Sequence, residues 1–234
     1  MRRGERRAAQ AEQRALRALR QIDFLMGVSD ISRLGAMRFR EEGAQSFAAP
    51  THEGVPGLIE LGRLEEARGI LRLFGRFEKD GTLPNMIVAE DAGNIETSDA
   101  PLWFVACCRE LSEKEPDGTF LDERLGDRTV AETVLSIVQN LIKGTRTGVF
   151  MDNASLLLYS PSHFTWMDTN FPAGTPREGY AIEIQALWHH ALKFMAQIDL
   201  PDHAEKWKAL SGQVAESVQA LFYLTEKGYL SDCL

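Results

Sequence analysis

The stretch GRLEEARGILRLFGRFEKDGTLPN constrains the fold of this chain more than any other. Within it Leu64, Ala67, Ile70, Leu71, Phe74 and Phe77 recur at steps of three and four. That spacing gathers them on one stripe of an α-helix, whereas on a strand they would scatter over both faces. A helix with one apolar stripe must bury it against another element. The helix is stopped by DGTLPN, whose Asp, Gly and Pro favour turns over helix.

The same logic extends along the chain. A helical run is expected from about Ala100 to Leu111, with PDGT at 116–119 ending the connection after it. In RTVAETVLSIVQNLIKGTRTGV, the residues Val130, Val134, Ile137, Val138 and Leu141 share one helical face. Thr129 suits the N-cap and Gly144 the C-terminal stop. The β-branched content would suit a strand, but the spacing and length favour helix. Helix resumes at AIEIQALWHHALKFMAQI and again in DHAEKWKALSGQVAESVQALFYL, with Pro201 between the two. Only GVFMDNASLLLYS looks extended, in the manner of a short hairpin. The expected fold class is therefore all-α, a single helical domain over 1–234 whose connections alternate between short and long.

At 234 residues, with 44% hydrophobic and 26% charged side chains, the chain has material for a sizeable core. Its net charge of −8 argues against a nucleic-acid partner, which would require clustered Lys and Arg. The positive charge is concentrated in MRRGERRAAQAEQRALRALRQ, where Ala8, Ala15, Leu16, Leu19 and Ile22 fall near one helical face. A plain amphipathic helix is expected there in preference to a transit peptide, because Glu5 and Glu12 are present and Ser is not. No apolar run of membrane length occurs, so no membrane partner is expected. Cys107, Cys108 and Cys233 lack metal-ligand spacing, and adjacent His189 and His190 point different ways on a helix. No metal or other cofactor is expected, and structural thiols in a reducing cytoplasm are the expectation.

Two long connections, around 79–98 and around 147–181, hold most of the Asn, Pro, Gly and surface-type Trp. Long connections within a compact domain are usually functional. FTWMDTNFPAGTPREGYAIEIQ offers Trp166, Asp168, Arg177 and Glu183; PNMIVAEDAGNIETSDAPLWF offers Asn85, Glu90, Asp91, Glu96, Asp99 and Trp103. An aromatic ring gives the C–H face of a pyranose an apolar platform, and Asp, Glu, Asn and Arg fix its hydroxyls. Glycoside hydrolysis also needs two carboxyl groups flanking the scissile bond. Taken singly, each of these residues is as well explained by a helix cap or a packed core.

Their order says more. GRFEKDGTLPN, then TSDAPLWF, then FTWMDTN, then GTPREGYAIEIQALWHHAL resembles the catalytic domain of glycogen debranching enzymes of the amylo-α-1,6-glucosidase family. The resemblance runs from about Leu58 to the C-terminus, including KGYLSDCL. It implies an (α/α)6 toroid whose inner helices carry long loops lining a central pocket. It also implies release of glucose from a single-glucosyl α-1,6 branch with inversion, and so an α-glucan partner. By the same resemblance Asp168 is the general acid, and a carboxyl beside Trp166 in a partly dry pocket would hold its proton. Asp99 and Trp103 become pocket residues, Asp99 for hydroxyls and Trp103 for stacking or for buttressing its helix. Arg177 and Glu183 match two further motif positions; Glu183 either bonds a sugar hydroxyl or pairs with Arg177. Asn85 joins the substrate-binding set, Gln185 stands where the family often has Asn, and Trp188 is expected in the core.

Two departures from the family pattern qualify this. Residues 1–50 diverge, and REEGAQSFAAPTHEGVPGL replaces a Trp-rich loop that ends in Gly-Arg-Asp; His52 and Glu53 do not substitute for a stacking platform. The family also continues beyond LSDCL through helices that carry its catalytic base, so about half the ring is expected here. Glu183 and Glu96 are the local candidates for a base. The expectations are therefore an impaired or inactive hydrolase, a non-catalytic carbohydrate-binding alternative, and a homo-oligomer through the open flank of the half-ring.

Overall fold

The computed structural model describes residues 54–85, 87–88, 91–115, 118–166 and 174–234. The amphipathic helix expected near the N-terminus, His52, Glu53, Glu90 and Asp168 lie outside the described residues. Among these residues six α-helices carry the core: α1 Val55–Glu60, α2 Leu64–Gly75, α3 Ala100–Lys114, α4 Val130–Lys143, α5 Ile182–Ile198 and α6 Ala204–Phe222. Strand is confined to four antiparallel ribbons of two residues a side. These are β1 Ile87–Val88 with β2 Asp91–Ala92, β3 Arg124–Leu125 with β4 Arg128–Thr129, β5 Phe150–Met151 with β6 Leu158–Tyr159, and β7 Tyr223–Leu224 with β8 Tyr229–Leu230. The chain is thus mostly helical, as its periodicity indicates.

Local signals explain where the helices start and stop. α4 opens with a full capping box: the Glu132 backbone N–H donates to Thr129 Oγ1 at 3.1 Å, and the Thr129 N–H donates to the Glu132 carboxylate at 2.7 Å. It ends at Gly144, whose φ of 97° suits glycine. α1 and α3 carry Pro in their first turn, where a missing N–H costs nothing. Pro201 begins a short 3₁₀ turn, Pro201–His203, that separates α5 from α6.

Burial divides the helices into two kinds. α2, α4 and α6 each bury one stripe, such as Val130, Val134, Ile137, Val138 and Leu141 of α4. By contrast α3 and α5 are apolar on nearly every side: Leu102, Phe104, Val105, Ala106, Cys107, Cys108 and Leu111 of α3 are buried, as are Ile184–Trp188, Ala191, Leu192, Phe194 and Met195 of α5. A helix apolar all round belongs inside. α3 accordingly packs against α1, α2 and α5, and α5 against α3 and α6. Cys107 and Cys108 are fully buried cysteines outside any disulfide, their pKa values raised well above the ordinary range by burial. Trp188 is a core residue, its indole N–H donating to the Leu156 carbonyl at 3.2 Å. No helix among the described residues is long and apolar enough to cross a membrane.

Candidate functional site

The two inner helices begin at one place. Asp99 immediately precedes α3, and Glu183 is the second residue of α5. Between them runs the segment 160–166, which is tied to both. Ser98 donates its backbone N–H to the Phe164 carbonyl at 2.7 Å, and its hydroxyl lies 2.7 Å from that of Ser160. Ser160 and Gly179 exchange both backbone hydrogen bonds, at 2.7 and 2.9 Å, and the His163 N–H donates to the Pro176 carbonyl at 2.8 Å. The segment that carries Trp166 is therefore fixed to the entrance of α3 on one side and to the approach to α5 on the other.

Asp99 does not cap α3 with its own side chain. Thr97 does so, accepting from the Ala100 N–H at 3.3 Å while its hydroxyl donates to Asp99 Oδ1 at 2.5 Å. Asp99 is buried, and burial pushes its carboxyl above the usual carboxylate range against the lowering pull of the Thr97 hydroxyl and nearby backbone N–H groups. The charge of Glu183 raises it further. Asp99 accepts from the Thr97 hydroxyl, and its carboxyl has further acceptor capacity for a hydroxyl.

Arg177 organises the other side. Its side chain is only 2% exposed. Its guanidinium donates to both oxygens of Glu183, from Nη2 at 2.7 Å and from Nη1. It reaches Asp232 through Nε at 3.1 Å and Nη2 at 2.9 Å, and the Thr165 hydroxyl through Nη1 at 3.3 Å. The hydrogen bonds and charge of Glu183, then those of Asp232, hold Arg177 above its already high ordinary pKa despite its burial. Of the two roles expected for Glu183, the pairing with Arg177 is realised. The backbone is correspondingly constrained: Arg177 has φ 47° and Gly179 φ 121°. A Cβ at Gly179 would stand 2.2 Å from the Leu234 carbonyl oxygen, so only glycine fits. That carbonyl accepts from the Tyr180 N–H at 3.1 Å, and the Ile182 N–H donates to the Asp232 carbonyl at 3.0 Å.

The remaining expected residues divide. Trp166 is 64% exposed and presents its ring to solvent, which makes it an open platform; the described residues do not enclose it in a dry wall. Trp103 is half-buried and packed against the core, the buttressing one of its two expected roles. Asn85 is half-buried, its backbone N–H donating to Asn94 at 2.9 Å, and its Oδ1 has no hydrogen-bond partner among the described residues. Glu96 is exposed. Gln185 clamps β6 onto α5, donating to the Leu158 carbonyl at 2.9 Å and accepting from its N–H at 2.8 Å. No group of His, Cys, Asp and Glu among the described residues is arranged to hold a metal.

Thr97, Thr165, Ser98, Ser160 and Asp232 take part in this site without having been singled out by sequence. Asp232 lies in KGYLSDCL, a stretch the resemblance covers, but nothing in its spacing points to an arginine 55 positions earlier.

With this geometry in view, the comparisons with known proteins are decisive for the class. The family model described as amylo-alpha-1,6-glucosidase matches residues 51–234, and the chain belongs to that family. Among curated proteins it is similar to the glycogen debranching enzyme of Saccharomyces cerevisiae (strain ATCC 204508 / S288c), with 24% identity over 195 residues. That match covers 60% of this chain and 13% of the yeast protein, so the chain corresponds to a small part of its relative's length.

Proposed function

We propose that this chain forms an α-1,6-glucosidase site of the glycogen debranching type, which receives the terminal glucosyl unit of an α-glucan branch. One observation carries the reading: the segment 160–166 is laced to the starts of both inner helices, through Ser98 and Ser160 on one side and Arg177 on the other. That lacing brings Trp166, the first residue of the Trp-Met-Asp motif, into the segment tied to Asp99 and Glu183. In this reading Asp168 is the general acid, Trp166 offers its exposed ring to the C–H face of a pyranose, and Asp99 holds hydroxyls. Arg177 positions, rather than binds: its donors are committed to Glu183, Asp232 and Thr165. The alternation of one-stripe helices with helices buried over most of their surface supports an (α/α)6-type arrangement of outer and inner helices. A cytoplasmic location agrees with two buried cysteines outside any disulfide.

One observation favours a second reading, carbohydrate binding without hydrolysis. A carboxylate locked in a two-pronged ion pair with a buried arginine is a poor general base, and Glu183 is so locked. The two readings separate in one experiment: free glucose released from a maltooligosaccharide bearing a single α-1,6-glucosyl branch, at neutral and mildly acidic pH, by wild type and Asp168→Asn. Release that disappears in the variant supports the hydrolase. Folded protein that binds the sugar calorimetrically without releasing glucose supports the binding module, and protein that does neither overturns both.

A further inference from the structure

Beside the site, the hairpin β5–β6 carries an aromatic row that the reaction does not use. Along β5 the alternation is strict: Met151 points into the core, and Phe150 points out and is 39% exposed. Directly across the ribbon its partner in register is Tyr159. The two rings stack with centroids 5.0 Å apart at 24° between planes. Tyr180 meets Tyr159 edge-on at 6.1 Å and 79°. Phe150, at the end of this row, stacks on Tyr159 and is partly exposed.

The mounting is rigid, as a preorganised platform requires. Leu158, next to Tyr159, is held on both its backbone groups by Gln185. Tyr180 follows Gly179, which pairs with Ser160, and exchanges hydrogen bonds with Leu234. Polar groups stand at the edge of the row. The Tyr159 hydroxyl donates to Glu178 Oε1 at 2.7 Å, and the Asp152 charge acts on the half-buried Tyr180. Rings flanked by carboxylates suit a neutral polyol, whose C–H face stacks on an aromatic ring while its hydroxyls donate to acidic oxygens; they repel a phosphate or a nucleotide. In sequence the row adjoins the site: Ser160, after Tyr159, contacts Ser98 beside Asp99, and Glu178 follows Arg177.

We propose that the outer face of Phe150, backed by Tyr159 and Tyr180, is a secondary α-glucan subsite that seats one pyranose of a chain whose branch end lies at the Asp99–Trp166 site. It rests on the glucan reading given above. A cross-strand aromatic pair also steadies a hairpin, so the test must tell a binding face from a merely structural one. The measurement is calorimetric titration of the whole 234-residue chain with maltoheptaose, for wild type, Phe150→Leu and Phe150→Trp. Loss of one stacked ring should weaken binding by about tenfold in Phe150→Leu. Phe150→Trp, which enlarges the face, should bind as tightly as wild type or tighter, a result that misfolding cannot produce. Wild-type affinity retained by Phe150→Leu would overturn the subsite and leave the glucan reading standing. So would equal loss in both variants, which would mark the pair as hairpin structure only. A wild-type chain that does not bind maltoheptaose would overturn the glucan reading and the subsite with it.

Discussion

Two ionic clusters in this molecule use the same residue types and differ in balance. On the flank of α2, Arg68 and Arg72, one turn apart, meet Glu115 and Glu123. Arg72 grips Glu123 with two donors, at 2.6 and 2.9 Å, and Arg68 joins the two glutamates, its guanidinium 5.9 Å from the Phe120 ring centroid. Two cations on one helix face these two anions, and Glu65 stands as a third carboxylate 3.8 Å from Arg68. Ahead of α5, by contrast, one arginine with a left-handed backbone serves Glu183 and Asp232, while Asp99 sits buried within reach of the Glu183 charge. The first cluster spreads three carboxylates over two cations. The second concentrates carboxyls around a single cation and keeps its backbone under constraint, the pattern expected where a ligand supplies part of the stabilisation.

The largest expected effect breaks the first cluster. Arg68→Met leaves Glu115, whose side chain is 5% exposed, without its cation, although Glu123 keeps both hydrogen bonds from Arg72, so it should destabilise the fold by about 3–5 kcal/mol, the usual result of removing one partner of a buried pair. Equilibrium urea unfolding checks this. The matched change in the second cluster, Arg177→Met, should cost less, about 1–3 kcal/mol, because Glu183 and Asp232 are 26% and 70% exposed and water takes up much of what they lose. If the two variants lose equal stability, the contrast between the clusters is wrong.

A pH series sharpens the comparison. Burial raises the Asp99 carboxyl above its ordinary value of 3.8. The native state then binds more protons than the unfolded chain between that value and the raised one. This contribution to stability is complete below 3.8 and is lost as pH rises through the native value. His190 acts in the opposite sense. Burial, then the charges of Arg109 and Lys193, push it down from 6.5 to about 3, so the stability associated with its neutral form is lost as pH falls from 6.5 to about 3. Urea midpoints measured across that range should show Asp99→Asn flattening the decline with rising pH and His190→Gln flattening the decline with falling pH. An unchanged profile in either variant removes that residue from the account.

The contrast also explains what could be read from sequence. Periodicity and punctuation are local, and they sufficed for α2 through α6: Thr129 and Gly144 bound α4, and Pro201 parts α5 from α6. The hairpin in GVFMDNASLLLYS is present as expected. α1 carried no periodic signal; at six residues it is held by burial of Val55 and Ile59 more than by any intrinsic preference. The ribbon β3–β4 had a signal of its own, a Gly-Asp turn with Gly126 at φ 85° between Leu125 and Arg128. The site was legible where motifs name residues and illegible where pairing is long-range. Glu183 had two roles open, and only the fold brings Arg177 and Asp232 together to decide between them.

The smallest effect tests whether the α2 cluster is independent of the site. Thr129 accepts from the Glu132 N–H, and Glu132 returns the bond to Thr129. Thr129→Ala removes the side-chain half of this box and exposes one helical N–H to water. It should cost about 1 kcal/mol, as caps of this kind do. β4 ends at Thr129 and pairs with β3, whose Arg124 follows Glu123 of the α2 cluster. The loss should therefore add to that of Arg68→Met with a coupling of a few tenths of a kcal/mol or more, because both changes act on one short ribbon. It should add without coupling to that of Arg177→Met. A double-mutant cycle in urea measures both terms. Strong coupling to Arg177 in place of Arg68 would mean that the two clusters form one mechanical unit, and the division drawn between them would have to be abandoned.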